Sequence, residues 1–373
     1  MEVLERAELD GLLNELKRRG YRLIGPRAER GAIVYDPVET SDDFPAGWQD
    51  EHQRGVYRIQ NSGGNALFDH AAGARALKHF LIPPRRLLWR AHGGDSDFTV
   101  ETPRSTPPHF AFIGVRACEL HALALQDRIF IHGPQPDPEY KARREQAFIV
   151  AVNCHRPSGN CFCASVGSGP AVTAGYDILL TEVVDAGRHY FTVAAGTVRG
   201  QEVVEVLGLR SAEAGEEAVA EAVLQEAETA LTRQLDLSGL REVLLGAADS
   251  SHWESVAHKC MACANCTMTC PTCFCATVED TTPLGSGTAE RWRVWDSCFT
   301  TDFSYIHGGA VRKTGASRYR QWLTHKFASW EDQFGTLGCV GCGRCITWCP
   351  AGIDIVEELD ALRRKRQQKL QAV

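Results

Sequence analysis

The chain has 373 residues, is 44% hydrophobic and carries a formal net charge of −7. That length allows two or three domains with apolar cores, and the acidic balance excludes a nucleic-acid partner as an expectation. No apolar stretch approaches the about 20 residues that span a bilayer, and acidic residues precede any apolar run at the N-terminus, so neither a membrane nor an export signal is expected and the chain reads as cytoplasmic.

The opening segment, MEVLERAELDGLLNELKRRG, places Leu4, Leu9, Leu12, Leu13 and Leu16 at helical spacing and predicts one amphipathic helix. Short β-rich segments follow at residues 21–24, 32–35 and 56–59, separated by glycine, proline and acidic turns. Apolar strands at 111–115 and 148–153 flank a helical stretch at 119–128, an alternation that predicts a mixed α/β domain. Further strands are expected at 178–184, 189–194 and 203–207. An alanine- and glutamate-rich helix over 211–234 then precedes a domain boundary. Beyond it, Ser251 and Glu254 have the spacing of a capping box. Helix-compatible segments lie at 305–306 and 319–330, and a last helix spans 353–371.

Two cysteine runs stand in this C-terminal part: Cys260, Cys263, Cys266 and Cys270 before Pro271, and Cys339, Cys342, Cys345 and Cys349 before Pro350. Each has the C-x2-C-x2-C-x3-C-P spacing of two-cluster ferredoxins, in which three cysteines wrap one four-iron cube and the fourth ligates the other. The predicted sets are therefore Cys260, Cys263, Cys266 and Cys349 for one 4Fe-4S cluster, and Cys339, Cys342, Cys345 and Cys270 for a second. Gly338, Gly341 and Gly343 suit a loop that must allow close backbone approach. Structural zinc prefers two pairs with a longer spacer, and reduced thiols argue against disulfides. About 70 residues separate the runs, which favours an all-helical two-cluster module over a compact ferredoxin. The expected class is α+β: a mixed α/β domain over 1–245 and an all-helical, ferredoxin-like domain over 246–373.

Cys118, Cys154, Cys161 and Cys163 are the cysteines of the first domain. If the strands before Cys118 and Cys154 are parallel neighbours, all four thiols meet at one sheet edge, where α/β sheets build their sites. A third iron–sulfur cluster, a zinc ion and buried free thiols are the alternatives there. Cys273, Cys275 and Cys298 read as packing, with alternative cluster ligands or a thiol pair on a docking surface as the other readings. Arg312, Lys313, Arg318, Arg320 and Lys326 form either cations that neutralise a cluster or a plain charged helix face. Trp292, Trp295, Phe299, Phe303, Tyr305, Trp322, Trp330 and Trp348 read as the core of a small helical domain. The basic run 363–366 reads as a solvated helix end. No G-x-G-x-x-G opens a βαβ unit, and no Walker loop, H-E-x-x-H or nucleophile elbow appears, so no flavin, nucleotide or bond-changing chemistry is expected in this chain.

The stretches 114–123, 153–163, 270–275, 295–299 and 339–350 resemble the beta subunit of cytoplasmic NAD(P)-linked nickel–iron hydrogenases of the sulfhydrogenase type. They are similar, less closely, to the electron-transfer subunit of anaerobic sulfite reductase. Segment 302–309 and the pair Thr347-Trp348 lean toward the hydrogenase. Ala117 stands where that family usually has proline. The resemblance implies a non-catalytic electron-transfer subunit of an oxidoreductase complex. An FAD/NAD(P)-binding subunit would exchange hydride with NAD(P)H, this chain would relay single electrons, and the hydrogenase small subunit would feed the nickel–iron site of the large subunit. A zinc-stapled interaction protein is the rival from another class.

Overall fold

The computed structural model describes residues 1–93, 97–103, 107–285 and 287–371, so the final two residues of the expected second domain lie outside it. In chain order its strands are β1 (Glu2–Glu5), β2 (Arg22–Glu29), β3 (Ala32–Pro37), β4 (Trp48–Gln53), β5 (Val56–Asn61), β6 (Arg85–Gly93), β7 (Phe98–Glu101), β8 (Phe110–Val115), β9 (Phe148–Val152), β10 (Ile178–Asp185), β11 (Arg188–Ala195), β12 (Arg210–Ser211), β13 (Ala276–Thr281), β14 (Thr288–Trp295), β15 (Tyr305–Ile306) and β16 (Gly309–Ala310).

Eight of these form one sheet in the order β12-β1-β11-β10-β9-β8-β2-β3. The centre, β10-β9-β8-β2, is parallel, and antiparallel strands close both edges. Strands β8 and β9 are buried at every position, which explains why FAFIGV and FIVAV show no polar alternation. On one face, Ala111, Ile113, Phe148 and Val150 meet Leu9, Leu12, Leu13 and Leu16 of the helix Leu9–Arg18. On the other, Phe110, Phe112 and Ile149 meet Leu120 and Leu123 of the helix Ala117–Phe130 and Tyr140 of Pro138–Glu145. Helices on both faces of a mostly parallel sheet make a mixed α/β layer structure.

Three local expectations are corrected. Leu4 is in β1, not in the first helix, because pairing with β11 sends Val3 and Leu4 to opposite faces, each into a different apolar cluster. Residues 203–207 are helical, within Val198–Leu207. Thr197 caps that helix by accepting from Gly200 N–H, and Val203 and Val204 pack on the leucines of Leu9–Arg18, so capping and burial override the β preference of valine. At Ser251 no side-chain cap forms, so Ser251 and Glu254 make no capping box; His252 N–H donates to Ser250 Oγ at 3.3 Å instead.

The C-terminal part is not all-helical. β13 and β14 form a hairpin that joins β6 and β7 in a four-stranded antiparallel sheet, β13-β14-β6-β7, and residues 305–306, expected to be helical, are strand β15, paired with β16 in a short hairpin. The pairing of β14 with β6 links segments far apart in sequence, which no local periodicity reports. The remainder is helical around Trp253, Phe299, Tyr319, Trp322, Phe327, Ile346, Ile355 and Leu359. Trp292 and Trp295 belong to the sheet and Tyr305 is exposed, so the expected aromatic core holds only in part. No helix among the described residues is long and apolar enough to cross a membrane.

Candidate metal centres

The two cysteine runs fold alike. Two and four positions after the first cysteine the backbone is left-handed: Ala262 (φ 51°) and Ala264 (φ 65°) in one run, Gly341 (φ 60°) and Gly343 (φ 72°) in the other. Each turn aims an amide at sulfur, with Ala262 N–H donating to Cys260 Sγ and Gly341 N–H to Cys339 Sγ, both at 3.4 Å. One-turn helices, Asn265–Met268 and Arg344–Thr347, then carry the third cysteine of each run. Amide donors on sulfur within a tight wrap are what a cluster loop supplies.

Cys349 lines the same partly open cavity as Cys260, Cys263 and Cys266, together with Cys345, and Phe299, Tyr319 and Trp322 are on its walls. The sulfurs bearing on Cys266 are Cys298, Cys260, Cys349 and Cys263. Those bearing on Cys345 are Cys339, Cys342, Cys270 and Cys266. An all-thiol donor set beside an apolar-walled void fits a four-iron cluster. Burial pushes the free Cys339 thiol up to about 12, so a bound cation is needed to hold it as thiolate.

The segments that carry the four N-terminal cysteines leave one edge of the large sheet, and no three of the four stand close enough together to hold a metal ion among the described residues. β8 and β9 are parallel neighbours, Cys118 lies in the first turn of the helix after β8, and Cys154 follows β9. Cys161 and Cys154 both bear on Cys163. Cys118 is the outlier, because Cys342 bears on it more strongly than Cys163 does. Ala117 is the first residue of its helix, a position where proline and alanine are both tolerated.

This edge is strapped to the second run. Phe162 N–H donates to Gly341 O at 2.8 Å, Ser168 Oγ donates to Val340 O at 2.6 Å, and Cys118 and Cys342 both pack against the cluster of Ala122, Leu125 and Val340. A Cβ on Gly341 would stand 2.7 Å from the Cys163 backbone, and one on Gly343 2.6 Å from Asn160 O. These glycines therefore admit a second chain segment, and Gly338 admits the Trp330 ring. Among the described residues no such segment covers the first run, where Met261 and Cys263 are exposed.

Sequence reasoning understated the buried cations. Of the basic stretch only Lys326 is buried; its Nζ donates to Cys270 Sγ at 3.2 Å, while Arg312, Lys313, Arg318 and Arg320 stay nearer solvent. Lys78, also buried, lies over the Trp295 ring at 3.9 Å and donates to Cys273 O at 3.0 Å. Arg344 pairs with Glu119 in the interior. Only the helical context of Lys326, between the cysteine runs, gave any advance signal. Cys273, Cys275 and Cys298 gather around Lys326, with Cys273 hydrogen-bonded to Cys270.

A protein-family model described as a 4Fe-4S dicluster domain matches residues 259–353, which takes in both runs. The chain is 34% identical over 323 residues to sulfhydrogenase 2 subunit beta of Pyrococcus furiosus (strain ATCC 43587 / DSM 3638 / JCM 8422 / Vc1), a similarity covering 83% of this chain and 89% of that protein. With two cluster loops of matching geometry and a relative aligned along most of its length, the chain belongs to the hydrogenase beta-subunit family of iron–sulfur, electron-transport proteins.

Proposed function

We propose that this chain relays single electrons between an FAD- and NAD(P)-binding subunit and the small subunit of a nickel–iron hydrogenase, whose large subunit holds the nickel–iron site, in the cytoplasm. In this reading residues 246–373 hold two 4Fe-4S clusters, one on Cys260, Cys263, Cys266 and Cys349 and one on Cys270, Cys339, Cys342 and Cys345. Residues 1–245 hold a third on Cys118, Cys154, Cys161 and Cys163. A four-iron cluster supplies a one-electron carrier when bound. The chain's own residues hold the thiolates, aim N–H donors at sulfur and wall the inner side of the first site with Phe299, Tyr319 and Trp322. Both ends of the reaction, hydride exchange and hydrogen chemistry, belong to partners.

The observation that carries this reading is the serial placement of the thiols. Cys342 bears on Cys118, Cys266 bears on Cys345, and the first run is exposed at Cys263. That order supports a path through the chain that reaches solvent at the first run.

The test is anaerobic isolation of the tagged chain with its bound partners, followed by elemental analysis. Nickel beside abundant iron is the expected result; iron without nickel would point to a sulfite reductase complex, and zinc alone would overturn the relay. Replacing Cys161 and Cys163 together by serine should remove about a third of this chain's iron if three four-iron clusters are present; unchanged iron would remove the third cluster from the proposal.

A further inference from the structure

We infer that Lys326 holds the cluster assigned to Cys270, Cys339, Cys342 and Cys345 at a higher reduction potential than the one at the first run, making it the resting place of the electron in the relay. The inference rests on that ligand assignment.

Lys326 lies in a π-helical turn, His325–Ser329, between the helices Gly315–Thr324 and Trp330–Phe334. Such turns recur at functional sites because they displace a side chain that a regular helix would aim elsewhere. The residue is 2% exposed. Its Nζ donates to Cys270 Sγ (3.2 Å), Thr272 Oγ1 (2.9 Å) and Gly338 O (2.8 Å). Three acceptors match the three N–H groups of an ammonium, whereas a neutral amine has two. Gly338 N–H returns a bond to Lys326 O at 2.8 Å, which fixes the turn against the second run.

A buried ammonium requires a counter-charge, and the sulfurs that face this one are those of Cys270, Cys273 and Cys339. A cluster on four thiolates supplies that charge. Reduction makes it more negative, so a cation at a ligand sulfur in a low-dielectric interior favours the reduced form and raises the potential. The Cys273 thiol adds a second hydrogen bond to the same sulfur. The first run has no equivalent among the described residues. Cys349 Sγ accepts the Ile353 N–H at 3.3 Å, a neutral donor, while the Arg318 guanidinium bears on Cys260 from a distance and gives its N–H groups to the carbonyls of Arg312 and Lys313 instead of to a sulfur.

The test is an EPR-monitored redox titration of the complex isolated anaerobically, with iron counted in parallel. Cys270→Ser first identifies the second cluster as the one whose signal it alters; if no signal changes, the ligand assignment itself fails. The expected result is that this signal has the more positive midpoint of the two dicluster signals in the unmodified protein. Lys326→Met should keep the iron and move that midpoint to more negative potential, leaving the other in place, and Lys326→Arg should restore most of the shift. The inference is overturned if the signal marked by Cys270→Ser has the more negative midpoint, or if Lys326→Met holds full iron with both midpoints unmoved. Should Lys326→Met fail to hold iron, the order of the midpoints in the unmodified protein decides.

Discussion

Arg344 and Glu119 form an ion pair with both side chains sealed from solvent, at 0% and 1% exposure. Arg344 stands between Cys342 and Cys345, and Glu119 follows Cys118, so the pair joins the second cysteine run to the sheet edge of the N-terminal part. Arg344 Nε also donates to Gly73 O at 2.6 Å, and the Glu119 carboxylate accepts from Leu77 N–H at 3.0 Å. Removing one partner leaves the other charge buried and unpaired, a loss of about 3–5 kcal/mol. Arg344→Met and Glu119→Gln should each lower the unfolding free energy by about that much, and the double variant should lose less than the sum. Anaerobic denaturant titrations of the three variants check this.

Gly341 separates backbone strain from close approach. Its φ of 60° disfavours any Cβ, and the Cβ would also meet the Cys163 backbone at 2.7 Å. Gly187 has φ 81° with nothing within 4 Å, so alanine there meets the strain alone. Left-handed strain is about 1–2 kcal/mol for a residue with a Cβ, and overpacking adds about 1–3 kcal/mol. Gly341→Ala should therefore destabilise more than Gly187→Ala and loosen the loop 160–163, seen as faster proteolysis or hydrogen exchange across that loop.

Acid should weaken the fold before its carboxylates titrate. Burial, then Arg116, hold the His70 imidazolium down to about 4, and burial, then Lys78, hold His79 at about 4, against an ordinary 6.5. The unfolded chain binds protons below about 6.5 that the folded chain refuses until about 4. Stability from these groups is thus complete above pH 6.5, falls as the pH drops toward 4 and levels off below it. Glu15, held at about 2 by Arg18 and Arg19, adds a further loss between about 4.5 and 2. A His79→Gln variant should show a shallower fall of denaturation midpoint between pH 6.5 and 4.5 than the unmodified chain; an identical slope would refute the assignment to His79.

What was legible in the sequence follows the range of the forces involved. Strands β8 and β9 were readable because burial on both faces leaves an unbroken apolar run, and their parallel pairing brought Cys118 and Cys154 to one edge as expected. The cysteine loops were readable because their spacing is a local constraint, and Cys349 lines one cavity with the first loop, as Cys345 also does. The sheet that joins β6 to β14 was hidden, since pairing partners distant in sequence leave no mark on either strand alone. Lys326 looked like any member of a basic stretch; only tertiary packing turns it inward while Lys313 stays exposed. The glycines of the second run were seen as room for a cluster, and the structure adds the backbone of Asn160 to Cys163.

The two cluster loops differ in what covers them, and that difference predicts an order of loss. The second run lies under residues 160–163, tied by the Phe162 to Gly341 and Ser168 to Val340 hydrogen bonds, with Cys270 buried behind it. The first run ends in solvent: Met261 is 69% exposed and Cys263 is exposed. A chelator or oxidant reaches exposed thiolate ligands first, because the shielded set must wait for the covering loop to open. Iron release under ferricyanide with chelator should therefore run in two phases, the fast one removing the signal sensitive to Cys263→Ser and the slow one the signal sensitive to Cys270→Ser. Gly341→Ala, by prising up the loop, should speed the slow phase and leave the fast one unchanged. Release in a single phase, or a Cys270-sensitive signal lost first, would show that the strap does not shield the second site.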